Sequence, residues 1–325
     1  MLGGPGSCMQ HSYILKRLGL MALTILCATF LTFVMLRLTP GDPADLILKK
    51  VFVGSEEYVG TQDERSVMEE RYGLNQPLFV QYGRWLGQAA TLDFGHSYTS
   101  GQRVSQELGL RVWPTLSLAF SAMAVSLAVT LLLGALYNLA PFRGVKTAIN
   151  LSIVGSIAIP NFYLALLLVL MFSLRLDLLP VSGYGTLAHY ILPVATLACT
   201  YFGYTTTILN DSATQVRSQE YILTARSKGL APAPLFSRHM LRNSLVPVVP
   251  YAALQLGYML GGVVVVETVF SWPGVGKYLV DSLQSKDMPV IQACIAFIAL
   301  AFSGANLLAD LVLWLMDPRV RFTRS

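Results

Sequence analysis

Two carboxylates stand where an apolar sequence would normally exclude them. Asp310 lies inside the run Pro289–Leu315, and Glu267 lies next to the end of Leu245–Val266. A charge inside a hydrocarbon-length run is expensive and commonly marks a pathway or a proton relay. Asp310 follows Asn306 by four residues, so the two share a helix face. That pairing also suits a hydrogen bond across a helix bundle, and Glu267 reads equally as a gate or as a helix cap. The four histidines, His11, His96, His189 and His239, are scattered, with no metal-ligand spacing such as HExxH. Cys8, Cys27, Cys199 and Cys294 show no CxxC spacing; the last three sit in apolar runs and read as small buried hydrophobes. Gly274-Val275-Gly276-Lys277 fails as a phosphate loop, because its glycines are too close and Tyr278 follows the lysine. No Walker motif occurs anywhere in the chain. An intramembrane protease would need a nucleophile–base set or paired aspartates, and Asp310 has no evident second. The expectation is a chain without catalytic residues, metal or cofactor of its own.

The elements that must position these groups follow from composition. Of 325 residues, 54% are hydrophobic and 13% charged, with a mean hydropathy of +0.56. Soluble domains carry about a quarter charged residues. The apolar residues fall into six runs: Leu18–Leu38, Trp113–Ala140, Thr147–Leu174, Ile191–Ile208, Leu245–Val266 and Pro289–Leu315. Each is long enough to cross a hydrocarbon core about 30 Å thick. The expected fold is an all-α, polytopic membrane protein with six transmembrane helices. Lys16 and Arg17 precede the first run, but no small-x-small cleavage pattern follows it, so it reads as a retained anchor. The expected organisation is a tail and first span over 1–38, an extracytoplasmic insertion over 39–112, a five-helix domain over 113–317, and a tail over 318–325. Glu56, Glu57, Asp63, Glu64, Glu69 and Glu70 make the insertion acidic, and a short helix is expected over Glu64–Tyr72, closed by Gly73.

Charge bias sets the orientation. With the N-terminus cytoplasmic, the inside segments hold twelve Lys or Arg residues against Asp211, Glu220 and Asp317, so both termini are expected inside. The net charge of +5 then belongs to cytoplasmic loops rather than to nucleic-acid binding, for which no basic stripe with interleaved aromatics exists.

The cytoplasmic stretch 211–244 carries the most pattern. Ser218 suits an N-cap, with Glu220 in the first turn, where the helix dipole favours a carboxylate. The helix is expected to run to Lys228 and stop at Gly229, and Pro234 suits the first turn of a second helix through Arg242. The result reads either as a rigid helix–glycine–helix knob or as a loop held at the headgroups by its basic residues. Pro160-Asn161 interrupts the third run and reads either as a tolerated kink or as a broken helix lining a path.

Thr224-Ala225-Arg226-Ser227-Lys228-Gly229, followed by His239-Met240-Leu241-Arg242-Asn243, resembles the cytoplasmic signature of binding-protein-dependent ABC importer permeases, in their dipeptide/oligopeptide/nickel branch. Of the wider family's EAA triplet, aligned with Leu223-Thr224-Ala225, only Ala225 matches. Leu92-Asp93-Phe94-Gly95 with Ser97, Tyr72-Gly73-Leu74-Asn75-Gln76-Pro77, and Glu267-Thr268-Val269-Phe270-Ser271-Trp272-Pro273-Gly274 resemble further blocks of that branch, as do Asn306-Leu307-Leu308-Ala309-Asp310 and Asp317-Pro318-Arg319. The resemblance implies a type I importer permease fold in a bacterial or archaeal inner membrane. It implies a second homologous permease, two ATPase subunits that bind ATP and magnesium, and an extracytoplasmic solute-binding protein. Glu220, Thr224, Ala225, Arg226, Lys228, Gly229, Leu235 and Phe236 would then couple to an ATPase. Arg226 and Lys228 would pair with acidic groups there, Leu235 and Phe236 would supply apolar contact, and Glu220 reads equally as a residue that only caps its own helix. Pro160, Asn161, Glu267 and Asp310 are the candidates for the path or a gate; for Asp310 packing is the favoured reading, since the resemblance includes it with Asn306. The alternative is an ATP-independent carrier or channel, which would need no such knob. Short peptides and nickel, or a metal chelate, remain equal candidates for cargo.

Overall fold

The computed structural model describes residues 5–38, 63, 66 and 75–316. The expected helix Glu64–Tyr72, most of the acidic stretch and the tail 318–325 lie outside the described residues. Among the described residues helices dominate, and pairing in the β sense is confined to one bridge between His96 and Arg103. In chain order they are α1 (Pro5–Leu38), α2 (Leu78–Ala90), α3 (Val104–Leu139), α4 (Arg143–Ala158) and α5 (Asn161–Leu168), which continues as a π-helical turn over Val169–Arg175. Then come α6 (Leu187–Arg217), α7 (Glu220–Ser227), and α8, which starts at Pro232–Pro234, widens over Leu235–Met240 and ends as Leu241–Ser244. α9 (Val248–Val269), α10 (Val275–Gln284) and α11 (Met288–Met316) complete the set.

Five helices are long and apolar enough to cross a membrane, and the count reaches six when α4 and the segment Asn161–Arg175 form one bent span. That bend is 108°. Its cause is local: the residue before a proline is pushed out of the helical region, and Ile159 has ψ 121° ahead of Pro160. This is a broken helix, far beyond a proline kink. α3 begins at Val104, nine residues before the expected Trp113, because Val-Ser-Gln-Glu-Leu-Gly-Leu-Arg-Val is an amphipathic helical stretch. Its 36 residues reach roughly 54 Å, well beyond a hydrocarbon core.

The chain divides into two compact units: residues 1–114 with 274–303, and residues 115–273 with 304–325. In the first, α2 lies against α1 through Tyr82, whose hydroxyl is 2.9 Å from the Thr29 hydroxyl and whose ring meets Phe30 and Phe33 edge-on. A second core joins Val104 and Leu108 of α3, Val275 and Leu279 of α10, and Val290, Ile291 and Cys294 of α11. A tight hairpin over 96–103 precedes α3 and is clamped by buried Asp287. The Ser97 hydroxyl donates to its Oδ2 at 2.5 Å, and the backbone N–H groups of Tyr98 and Thr99 donate to the same carboxylate at 3.1 Å each. A carboxylate taken out of water needs several donors, and here backbone supplies two of the three.

In the second unit, α6 is the central post. α4 presses on it at Gly203, where an added Cβ would sit 2.0 Å from Ser156 Oγ and 3.0 Å from the Ile153 carbonyl. α9 is tied to it by Gln255, 2% exposed, which accepts from the Thr205 hydroxyl at 2.8 Å and donates to the Tyr201 carbonyl at 2.9 Å. Small residues at crossings and side-chain hydrogen bonds between helices are how spans associate without a hydrophobic driving force.

Gly203→Ala should lower the thermal unfolding midpoint in detergent by the equivalent of about 1–3 kcal/mol, because backbone of α4 must move. Gly155→Ala, where an added methyl meets nothing within 4 Å, should be neutral or raise it. Equal midpoints for the two would contradict the close crossing.

Candidate functional site

The stretch after α6 folds as a knob. The structure corrects the expected cap: Gln219 occupies the N-cap position of α7, and Ser218 ends α6, its hydroxyl donating to the Gln215 carbonyl at 2.8 Å. Glu220 stands in the first turn of α7, exposed, where a negative charge meets the positive end of the helix dipole. The far end is a Schellman stop. Gly229 has φ +79°, its N–H donates to the Arg226 carbonyl at 3.0 Å, and the Leu230 N–H reaches back to the Ala225 carbonyl at 3.4 Å. The chain then reverses and Pro232 opens α8 at its first turn, where a missing N–H costs nothing. Pro234 falls in that same turn.

What stiffens the knob is its inner face. Ile222 of α7, Phe236 and Met240 of α8 and Ala213 of α6 form a buried cluster, flanked by Ala135, Val216, Leu235 and Leu241. Asn243 Nδ2 donates to the Tyr221 hydroxyl at 2.6 Å and braces the two short helices. Arg217 donates to the carbonyl and the Oδ1 of Asn138, tying the end of α6 to α3. Phe236 is only 4% exposed, so it holds the knob together from within and offers no apolar surface to a partner; Leu235 is half-buried and Ala225 is buried. The outer face shows Glu220, Thr224, Arg226, Lys228 and Gly229, and with them Tyr221 and Leu223, which are 43% and 53% exposed. Sequence reasoning did not single out those two, which the register of α7 turns outward.

The remaining candidates are dispersed. Glu267 is fully buried at the end of α9 and accepts from the Thr115 hydroxyl at 2.6 Å. Its carbonyl accepts the Trp272 backbone N–H at 2.8 Å, and the Trp272 indole is held edge-on by Tyr184 and Tyr190 at 4.8 and 4.5 Å. The motif that begins at Glu267 thus closes the end of α9 and pins the loop carrying Gly183, whose N–H donates to the Phe270 carbonyl. Asp310 sits half-buried on α11, one turn after Asn306. Pro160 breaks the helix, and Asn161 opens α5 close to Gly262 of α9 and to the Tyr201 hydroxyl of α6. Among the described residues no three His, Cys, Asp or Glu side chains gather in a way that could hold a metal ion. In the other unit, burial pushes the Tyr278 phenol up to about 12 against the pull of Arg111, whose guanidinium lies 4.1 Å from the ring centre. The phenol is therefore neutral at physiological pH, and the guanidinium meets its π face.

Residues 130–322 match the family described as the binding-protein-dependent transport system inner membrane component. The chain is 35% identical to a Brucella melitensis biotype 1 protein named for a peptide transport system permease, over 97% of this chain and all of that one. It is 36% identical to the glutathione transport system permease protein GsiC of Salmonella paratyphi A, over 96% and 99% of the two chains, and 34% identical to GsiC of Escherichia coli K12. Its fold is similar to that in a crystal structure of an amino acid ABC transporter, with a TM-score of 0.50 at 18% identity over 66% of this chain and 94% of that one.

Phe236→Ala should loosen the knob without unfolding the spans, since truncating a buried Phe removes about 3–5 kcal/mol of packing. Hydrogen exchange should accelerate across 220–244 and stay unchanged in α9. Leu223→Ala, at the surface, should leave both regions as they were.

Proposed function

Because the chain belongs to the family of binding-protein-dependent inner-membrane transport components, we propose that it forms half of a translocation path for short peptides and takes its energy through the knob around Gly229. The observation that carries this reading is a small helix pair, sealed by its own core, whose outer face is left to Arg226, Lys228, Tyr221 and Leu223. A partner that pushes or pulls on such a body moves the end of α6 with it, because Ala213 and Val216 of α6 belong to the same apolar cluster. The partners would be two ATPase subunits, which bind ATP and magnesium, a second homologous permease, and an extracytoplasmic binding protein that delivers cargo. Basic residues concentrated in the segments joined to the knob support a cytoplasmic position for it and for both termini.

The relatives' names favour peptides. One is named for peptide transport and two for glutathione, itself a tripeptide. The nickel alternative rests on a likeness of Leu179–Gly185 with His189–Pro193, and of Ile159–Phe162, to nickel-type permeases, a likeness of loops and not of ligand chemistry.

Gly229 gives a test with internal resolution. Among the described residues nothing lies within 4 Å of an added Cβ there, so the cost they impose is that of the left-handed backbone, about 1–2 kcal/mol for an ordinary residue. Asn tolerates that conformation, whereas Val and Trp do not. The tagged permease, gently solubilised, should retain its ATPase subunits in the wild type and lose them in Gly229→Trp. If Gly229→Asn restores both ATPase recovery and peptide uptake, the glycine serves the turn alone; if Asn fails as Trp does, the partner's groove excludes the Cβ. Recovery of the chain with itself only would overturn the importer reading in favour of a carrier or channel. Ligand stripped from the co-purified binding protein should be peptide; a metal ion instead would assign the cargo to nickel-type chemistry.

A further inference from the structure

Tyrosine is at home where a membrane meets water, with its ring in the apolar zone and its hydroxyl in the polar one. Two tyrosines here break that pattern. Tyr204 lies near the middle of α6 and Tyr258 at the middle of α9, and they are 47% and 55% exposed. They are also neighbours of one another's helices. Gln255 of α9, four residues after Tyr251, bonds the Tyr201 carbonyl and the Thr205 hydroxyl on either side of Tyr204, and the Tyr201 hydroxyl donates to the Tyr258 carbonyl at 3.0 Å. Around Tyr204 the exposed side of α6 continues through Thr207 to Asp211, at the three- and four-residue steps of one helix face. A face with phenols at mid-span and a carboxylate toward one end is badly matched to lipid tails.

The backbone beside it is irregular. The break at Ile159-Pro160 leaves a bent helix pair, and non-helical backbone at membrane depth persists only where protein buries it or where it lines water. Asn161, the first residue after the break, is placed next to Gly262 of α9, and an added Cβ on Gly262 would come within 2.9 Å of the Tyr201 hydroxyl and 3.7 Å of Asn161 Nδ2. The broken helix and the tyrosine face therefore adjoin.

We infer that the face of α6 and α9 bearing Tyr204, Thr207, Tyr251 and Tyr258, with Asn161 at its side, is wetted and forms this chain's contact with moving cargo. The inference rests on the importer reading and names the residues that serve it. The chemistry suits an amide-rich chain. Phenols and a carboxamide exchange hydrogen bonds with peptide N–H and C=O groups, and aromatic rings accept apolar side chains. None of these five groups carries a fixed charge that would trap a zwitterion by ion pairing.

The test uses the full complex in membrane vesicles, with the native cysteines replaced by alanine. Tyr258→Cys and Tyr204→Cys are compared with Leu132→Cys, an exposed apolar position on α3 (60% exposed). The thiolate, which forms only where water reaches the sulfur, attacks the sulfenyl sulfur of a charged methanethiosulfonate reagent, giving a mixed disulfide and releasing methanesulfinate. The two tyrosine positions should be labelled and the leucine position left unmodified, and saturating binding protein with a short peptide should slow labelling at both. Labelling at neither tyrosine position, with the ATPase subunits still co-purifying, would overturn the proposal while leaving the importer reading intact: the face would then be packed against the second permease. Labelling that peptide does not slow would overturn the contact with cargo. Loss of the ATPases from every sample would refute the importer reading itself, and the labelling pattern would still show whether the face is wet. Should Tyr258→Cys fail to assemble, Tyr204→Cys and Tyr251→Cys carry the comparison.

Discussion

Within a hydrocarbon layer there is no water to satisfy a stray hydrogen-bonding group, and the rest of this structure depends on that constraint. Threonine shows it most directly. The hydroxyls of Thr29, Thr196, Thr200, Thr206 and Thr207 each donate to the carbonyl four residues earlier, so that a polar side chain travels through an apolar helix already satisfied. Gln255 obeys the same rule between helices, placing one end of its amide on Thr205 and the other on the Tyr201 carbonyl. Glu267 obeys it at the end of α9. These buried threonines, Gln255 and Glu267 therefore act as fasteners within and between helices.

The spans were legible in the sequence because hydropathy integrates over some twenty residues and tolerates local errors. The helix stop at Gly229 was legible because a glycine after a basic turn has one good structural use. The starts and ends were less so: α3 begins at Val104 rather than Trp113, since an amphipathic helix leading into a span carries no hydropathy signal. Ser218 and Gln219 exchanged roles because a serine can end one helix as readily as it begins the next. Phe236, expected to meet a partner, is buried within the knob, because which face of so short a helix turns inward is set by packing on α6 and α7 rather than by a local pattern. The meeting of Ser97 with Asp287, 190 residues apart, was beyond any local reading, although Ser97 stood inside a block already singled out.

The knob and the polar face share α6. At one end of this helix, Ala213 and Val216 enter the cluster that makes the knob stiff; near its middle, Tyr204 and Thr207 stand on the exposed side. An unbroken helix transmits a displacement along its axis with little loss, since every turn is bonded to the next. Gly203, with α4 hard against it, directly precedes Tyr204 on the same post. The sharp break at Pro160 sits in the element that presses on this post, so stiffness and irregularity are built into adjoining parts of one unit.

The clamp at Asp287 has a bearing on how such a chain can diverge. The hairpin over 96–103 is anchored by one serine hydroxyl and two main-chain amides, and an amide is supplied by any residue except proline. The two main-chain donors at positions 98 and 99 therefore persist whatever side chains those positions carry, proline excepted. A segment built this way can acquire a new surface one substitution at a time, while its attachment to the start of α11 is inherited unchanged.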